Sequence, residues 1–344
     1  MTIKNVINCL LCGSSSELKH KAYPGYQIPS VFEIYYCPAC NTSFSMPRDE
    51  SKGIYELIYK NGSKVRWYER YWNYAKAVKN ENKPLNFLAE SEDIYWAVKE
   101  SIRLITLDSS ISPKILEIGC GLGYLTYSLN KEGYNSLGLD ISKEAVNRAI
   151  QNYGNYYICA DLYEYAINHE NEYDIIIFTE VIEHLNDINS FMEKLKKLLT
   201  SEGKIILTTP NKSFYPLEVL WATDLPPVHC WWLSEKSVKY IANKLNMNVS
   251  FLDFQNYYSR HLTWIDLRNI LIPITPPVFD KDEFLIYNTN SDSKIWIVIK
   301  KNLTKVKMIK LLYNKLRYLI IRNNRNILFP QNRGPVLCAL LQLK

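Results

Sequence analysis

The sequence predicts an α/β fold, a parallel sheet covered on both faces by helices, standing behind a small cysteine module. Three observations carry this. From Lys114 onward, apolar runs of strand length alternate with amphipathic helical stretches, the pattern of successive βα units. A glycine-rich turn, "EIGCGLG", follows the first of those runs, at the strand end where open α/β sheets take ligands. Two C-x-x-C pairs stand 24 residues apart near the front, which is a metal-ligand spacing rather than a strand or helix period.

The elements follow in order. "CLLCG" and "CPAC" supply Cys9, Cys12, Cys37 and Cys40. Two knuckles of this kind close a tetrahedral site, so residues 1–48 are expected to form a module around a structural zinc with no open coordination position. Cys120, Cys159, Cys230 and Cys338 are isolated and read as small buried residues or bystanders. Residues 49–112 turn helical and aromatic, with "YERYWNYAKAVKN" and "NFLAESEDIYWAVKESIRLITL" carrying apolar residues every three or four positions. This stretch reads as a helical linker or cap. Tyr68, Tyr71, Trp72 and Tyr74 there either line a substrate pocket or simply pack.

In residues 113–300, "KILEIGC", "NSLGLDIS", "YYICADL", "YDIIIFTE" and "GKIILTTP" are the strands. "YLTYSLNKEG", "KEAVNRAIQNYG" and "INSFMEKLKKLLTSEG" are the helices between them, the first two ended by Gly133 and Gly154. Gly119, Gly121 and Gly123 let the backbone turn sharply and approach a ligand closely. Their spacing is G-x-G-x-G, not the dinucleotide G-x-G-x-x-G, and Glu117 precedes the loop. A carboxylate there is unwelcome beside pyrophosphate and suits an ammonium. Asp140, ending the second strand, can accept both ribose hydroxyls, and Asp161, ending the third, can accept from an adenine amino group. Amine, ribose and adenine without phosphate describe S-adenosyl-L-methionine.

With those motifs in hand, "ILEIGCGLGYLT", "LGLDIS", "CADL", "YDIIIFTEVIEHL" and "GKIILTTPN", the chain resembles the class I S-adenosylmethionine-dependent methyltransferases over roughly residues 113–255. The resemblance implies a Rossmann-like, seven-stranded, mostly parallel sheet whose last strand is antiparallel, with "MNVSFLDFQNYY" and "KIWIVIKK" as the closing pair. It implies that Gly119, Gly121 and Gly123 wrap the methionine part, with Glu117 nearby, Asp140 on the ribose and Asp161 on the adenine edge.

"TEVIEHLND" then falls at the mouth of the fourth strand, placing Glu180, Glu183 and His184 where the reactive methyl points. Three roles fit. His184 can be the base that deprotonates a hydroxyl acceptor, with Glu180 orienting acceptor or cofactor. By resemblance to ubiquinone O-methyltransferases, Glu180, Glu183 and His184 can share a divalent cation such as Mg²⁺. Alternatively, all three are structural. "PPVHCWW" offers His229 as a further catalytic candidate, by likeness to proline–histidine loops of sugar-pathway methyltransferases that carry two adjacent histidines; here the first is Val228. "SEKSVKYIANKLNM" begins with Ser234 as a helix N-cap.

A cysteine module before such a domain resembles the sugar C- and O-methyltransferases of natural-product and surface-polysaccharide pathways. A sugar or glycan acceptor is therefore expected, on which Tyr and Trp would stack. An RNA methyltransferase, a quinone-type small-molecule O-methyltransferase and a non-catalytic binding protein are the alternatives. Charge bears on them: from Lys300 onward there are eleven Lys or Arg and no Asp or Glu, leaving 30 of the 41 basic residues against all 35 acidic ones. An acidic body disfavours nucleic acid as partner. The basic tail, residues 301–344, places Ile309, Leu312, Leu316 and Leu319 on one helical stripe, as for an anionic membrane surface or for packing on the protein itself. With no signal-peptide core in "MTIKNVINCLLCG" and no span-length apolar run, a cytoplasmic protein, peripheral at the inner membrane face, is expected.

Overall fold

The computed structural model describes residues 6–48, 52–62, 64–65, 68–106, 112–214, 225–261, 277–286 and 333–344. The front of the chain is an antiparallel meander of β1 (Val6–Asn8), β2 (Ser15–Pro24), β3 (Val31–Cys37) and β4 (Thr42–Met46). The knuckles sit on its turns: Gly13 takes φ +76° after the first and Asn41 φ +55° after the second, positions that favour Gly and Asn. Four helices follow, α1 (Lys52–Asn61), α2 (Glu69–Ala77), α3 (Pro84–Ser91) and α4 (Asp93–Thr106). The second aromatic stretch is thus two helices, broken where Glu92 adopts extended backbone. Leu88, Val98 and Ile102 share one cluster with Ile177 and Ile206 of the main sheet, so α3 and α4 are part of its helical cover.

The main sheet contains β5 (Lys114–Ile118), β6 (Asn135–Asp140), β7 (Tyr157–Cys159), β8 (Tyr173–Thr179) and β9 (Leu199–Pro210), all parallel. Between them run α5 (Tyr124–Lys131), α6 (Lys143–Tyr153), α7 (Leu162–Tyr165) and α8 (Ile188–Leu198). Strand alternation sorts the core onto two faces. Ile115, Ile175, Ile177 and Ile206 meet α4, α5 and α6. Leu116, Ile176, Phe178, Ile205 and Leu207 meet α8 and α9 (Glu235–Lys244). Ser234 caps α9 as expected, in a reciprocal box with Ser237.

Two features depart from the sequence expectation. The loop after β9 contains a two-residue strand, β10 (Trp231–Trp232), which pairs with β4 and so belongs to the front sheet. The main sheet reads β11-β12-β9-β8-β5-β6-β7, with β11 at Met247–Phe251 and the helix α10 (Gln255–Arg260) after it. The antiparallel seventh strand is β12 (Val336–Leu343), slotted between β11 and β9. The strand expected there, "KIWIVIKK", lies outside the described residues. The final residues of the supposed helical tail are therefore strand; its amphipathic stripe also lies outside the described residues. Among the described residues no helix is long and apolar enough to cross a membrane.

Candidate active site

The glycine loop closes over the carboxyl end of β5. Gly119, Gly121 and Gly123 take φ +71°, +50° and +78°. A Cβ on Gly119 would come within 2.7 Å of Val181, and one on Gly123 within 2.6 Å of Ala149 and Tyr157. Glycine is required there twice over, by conformation and by space. Asp140 Oδ2 accepts from Gly121 N at 2.7 Å and Oδ1 from Ser142 N at 2.8 Å, which fixes the carboxylate beside the loop. Burial raises its pKa. Asp161 lies at the end of the edge strand, with Oδ1 capping α7 through Tyr163 N at 2.7 Å. Glu117 is fully buried under the loop and accepts from Thr126 of α5. Burial pushes its carboxyl up to about 8, so it is protonated at neutrality rather than offering a charge.

At the mouth of β8 the chain does not begin an α-helix. It makes a 3₁₀ turn at Ile182–His184. Glu180 occupies the left-handed region at φ +53°, costly for a non-glycine residue and characteristic of sites that hold a side chain in place. Thr208 and Thr209 of β9 fasten the acids: Thr208 Oγ1 donates to Glu180 at 3.2 Å, and Thr209 Oγ1 to Glu183 at 3.0 Å. Sequence reading missed these partners. Their signal was two hydroxyl residues in an otherwise apolar buried strand. Burial, then the charge of Glu183, hold the Glu180 carboxyl well above the usual range.

His184 Nδ1 lies 2.7 Å from the carbonyl oxygen of Val228. A carbonyl can only accept, so Nδ1 carries the proton and Nε2 of the neutral ring is bare. Burial lowers its pKa to about 4, against a smaller upward pull from the carbonyls of Val228 and Glu180. His229 stands edge-on to it, ring centroids 4.3 Å apart, and is likewise held neutral by burial and by His184. Tyr55 of α1, also unforeseen, stands edge-on to His184 at 6.0 Å. Of the aromatic cap residues, Tyr74 donates to Glu92, while Trp72 lies under Arg148 of α6.

The donor atoms of Glu183, His184 and His229 lie within 4.8 Å of one another, and Glu180 is not part of that set. This set differs from the sequence-based alternative of Glu180, Glu183 and His184, since Glu180 accepts from Thr208 instead. Two imidazoles and one carboxylate suit a transition-metal dication better than Mg²⁺, which prefers oxygen. Cys9, Cys12, Cys37 and Cys40 form the other such cluster among the described residues. Cys9 and Cys40 sulfurs are 3.7 Å apart, Cys12 and Cys37 3.5 Å. Zn–S bonds of about 2.3 Å at tetrahedral angles require S···S edges of about 3.8 Å, so the cluster has the dimensions of a zinc site.

The profile of a family described as "Methyltransferase domain" matches residues 71–252, more than half of the chain. The ubiquinone biosynthesis O-methyltransferase of Pelagibacter ubique is 29% identical over 167 residues, 44% of this chain and 68% of that protein. Its namesake in Hydrogenovibrio crunogenus is 32% identical over 120 residues, 33% of this chain and 49% of that protein. The chain spans only 36% of the corresponding mitochondrial protein of Dictyostelium discoideum. Among solved structures, a SAM-dependent methyltransferase from Archaeoglobus fulgidus aligns with TM-score 0.41 and 17% identity, over 72% of this chain and 93% of its own.

Proposed function

The chain belongs to the methyltransferase-domain family and is an S-adenosylmethionine-dependent methyltransferase, and on that premise we propose that it methylates a hydroxyl on a small ring-bearing acceptor of the quinol-precursor kind. The observation that carries the reading is His184, neutral, with Nδ1 pinned to Val228 and Nε2 bare. The names of the relatives at about 30% identity support oxygen as the acceptor atom. The apolar wall beside the two histidines, with Val228, Trp232, Phe279, Leu57 and Ile58 in one cluster, supports a hydrophobic ring.

Bound S-adenosylmethionine supplies an electrophilic methyl on a sulfonium. The glycine loop and Asp140 position it, which is most of what such a displacement needs. The hydroxyl nucleophile must lose its proton as the bond forms, and His184 Nε2 takes it. One positive charge is present before and after the step, moving from sulfur to imidazole. Glu183, close to His184 and His229, stabilises the imidazolium. The four cysteines of the front module, as thiolates, would hold a structural zinc.

A second reading, a sugar or glycan acceptor, is supported by the aromatic cap, since sugar rings stack on Tyr and Trp. Binding of the basic residues beyond Lys300 to an anionic membrane, at the cytoplasmic face, belongs with either reading. Labelled S-adenosylmethionine should be offered with hydroxylated alkyl-phenols, with nucleotide- and lipid-linked sugars, and with total RNA, each with and without a divalent cation. Label in the phenols is expected. Label confined to sugars would move the assignment to the second reading, and label in RNA would overturn both.

A further inference from the structure

The lone pair that serves methyl transfer, on Nε2 of His184, has a second use open to it. Donor atoms of Glu183, His184 and His229 lie within 4.8 Å of one another. They come from two segments, the 3₁₀ turn after β8 and the loop before β10. Cys230 N ties the segments together by donating to Glu183 O at 2.8 Å. Ligands about 2.0–2.2 Å from a tetrahedral ion stand roughly 3.3–3.6 Å apart, so a contraction of about an ångström closes the set on one dication. The supports are those of a metal centre. A ligating imidazole donates its other N–H to a carbonyl or carboxylate, and a ligating carboxylate is itself hydrogen-bonded. Here His184 Nδ1 donates to Val228 O at 2.7 Å, and Thr209 Oγ1 donates to Glu183 Oε2 at 3.0 Å. Glu183 and His229 are buried, whereas His184 is partly exposed and gives the set a way in from solvent.

The donor set selects the ion. Two imidazoles and a carboxylate favour Zn²⁺, Co²⁺ or Ni²⁺ over Mg²⁺, which demands an octahedron of oxygens. What the ion does there follows from valence. With Nδ1 protonated toward Val228, the neutral ring of His184 has a single nitrogen lone pair, at Nε2. That pair can bind an ion or take a proton from an acceptor hydroxyl, and not both. Charge acts in the same direction. A dication against one carboxylate leaves positive charge at the mouth where the sulfonium must come, and like charges in a buried site repel strongly.

We propose that Glu183, His184 and His229 form an inhibitory site for a first-row transition dication, which turns methyl transfer off by occupying His184 Nε2. The inhibition rests on the reading of His184 as the base; the binding does not. The ion competes with the acceptor for the lone pair and with the sulfonium for charge. It therefore weakens S-adenosylmethionine more than S-adenosylhomocysteine, which has no sulfonium. The cysteine module is a separate and softer site, and its four thiolates fill with zinc first.

The test takes the full chain carrying one zinc and titrates it calorimetrically with Zn²⁺, Co²⁺ and Mg²⁺. A second site is expected for Zn²⁺ and Co²⁺ and not for Mg²⁺. Thr209→Val, which only loosens Glu183, should weaken it by about 10- to 100-fold, and His229→Gln, which removes a ligand, by about 100-fold or more. Filling the site should lower S-adenosylmethionine affinity by about 10-fold and leave S-adenosylhomocysteine within about twofold. With whichever acceptor takes label, Zn²⁺ should stop methyl transfer over the concentrations that fill the second site. Each variant, measured against its own rate without added metal, should need correspondingly more. Where His229→Gln does not fold, Thr209→Val and the contrast with Mg²⁺ carry the assignment. A wild type that takes one zinc and no more would overturn the site and leave the base untouched. Binding that the variants leave unchanged would place the ion elsewhere and overturn it too. Binding at this site with an unchanged or raised rate would overturn the inhibition together with His184 as base.

Discussion

His184 is tuned by what surrounds it, not by its own basicity. With its pKa pushed down to about 4 by burial, it stays neutral through the physiological range. The rate profile should accordingly show no inflexion near pH 6.5 on the acid side. His184→Ala should lower kcat by about 10²–10⁴, the usual worth of a general base, with S-adenosylhomocysteine affinity kept. An acid limb centred at 6.5 would assign the proton transfer elsewhere. Glu117 gives a stability prediction of opposite character. Its folded pKa of about 8 exceeds the unfolded carboxyl value, so the native state binds the extra proton between the two values. Stability from this group is present below the unfolded value and is lost as pH rises towards 8. Glu117→Gln cannot ionise, so its melting temperature relative to wild type should climb between pH 5 and 8; a constant difference would mean that Glu117 is not buried as described.

At the scale of elements, the glycine loop and the cysteine sheet make separate demands. Gly123→Ala forces a side chain against Ala149 and Tyr157 at positive φ. It should cost about 2–4 kcal/mol of stability, from left-handed strain plus overpacking, visible as a lower denaturation midpoint. The front sheet is joined to the catalytic loop by β10: Cys230 N donates to Glu183 O at 2.8 Å, and Ser45 N to Cys230 O at 3.1 Å. Removing zinc with a chelator should therefore change the fluorescence of Trp231 and Trp232, which lie beside His229, and restoring Zn²⁺ should reverse it. Unaltered emission would show a cysteine sheet that holds without metal. Most of these elements were legible beforehand. "KILEIGC" and "YDIIIFTE" are long apolar runs with clear stops, and the loop glycines have a steric signature. "WW" was not legible, because two residues carry no period and β10 exists only through its pairing with β4.

Over the whole molecule, the sequence pattern indicates which stretches are strands but says nothing of their lateral order, which depends on contacts between distant residues. The sheet's last strand was sought at "KIWIVIKK", whereas "VLCALLQL" does the work, its apolar run overshadowed by the basic residues before it. β12 buries Leu337, Ala339 and Leu341 on one face and pairs along both edges. Ala339→Asp should lose the cooperative unfolding transition of the main sheet, as an unpaired buried charge would require, and retention of wild-type melting would refute the strand's central place. There is also a consequence in time. β9 ends at Pro210 and β12 begins at Val336, so during synthesis the edge of β9 waits for its neighbour for roughly 10 s at ordinary elongation rates. An apolar strand edge left open that long is a template for other chains. The yield of this enzyme in a cell should thus depend less on its final stability than on what shields that edge while the ribosome is still working.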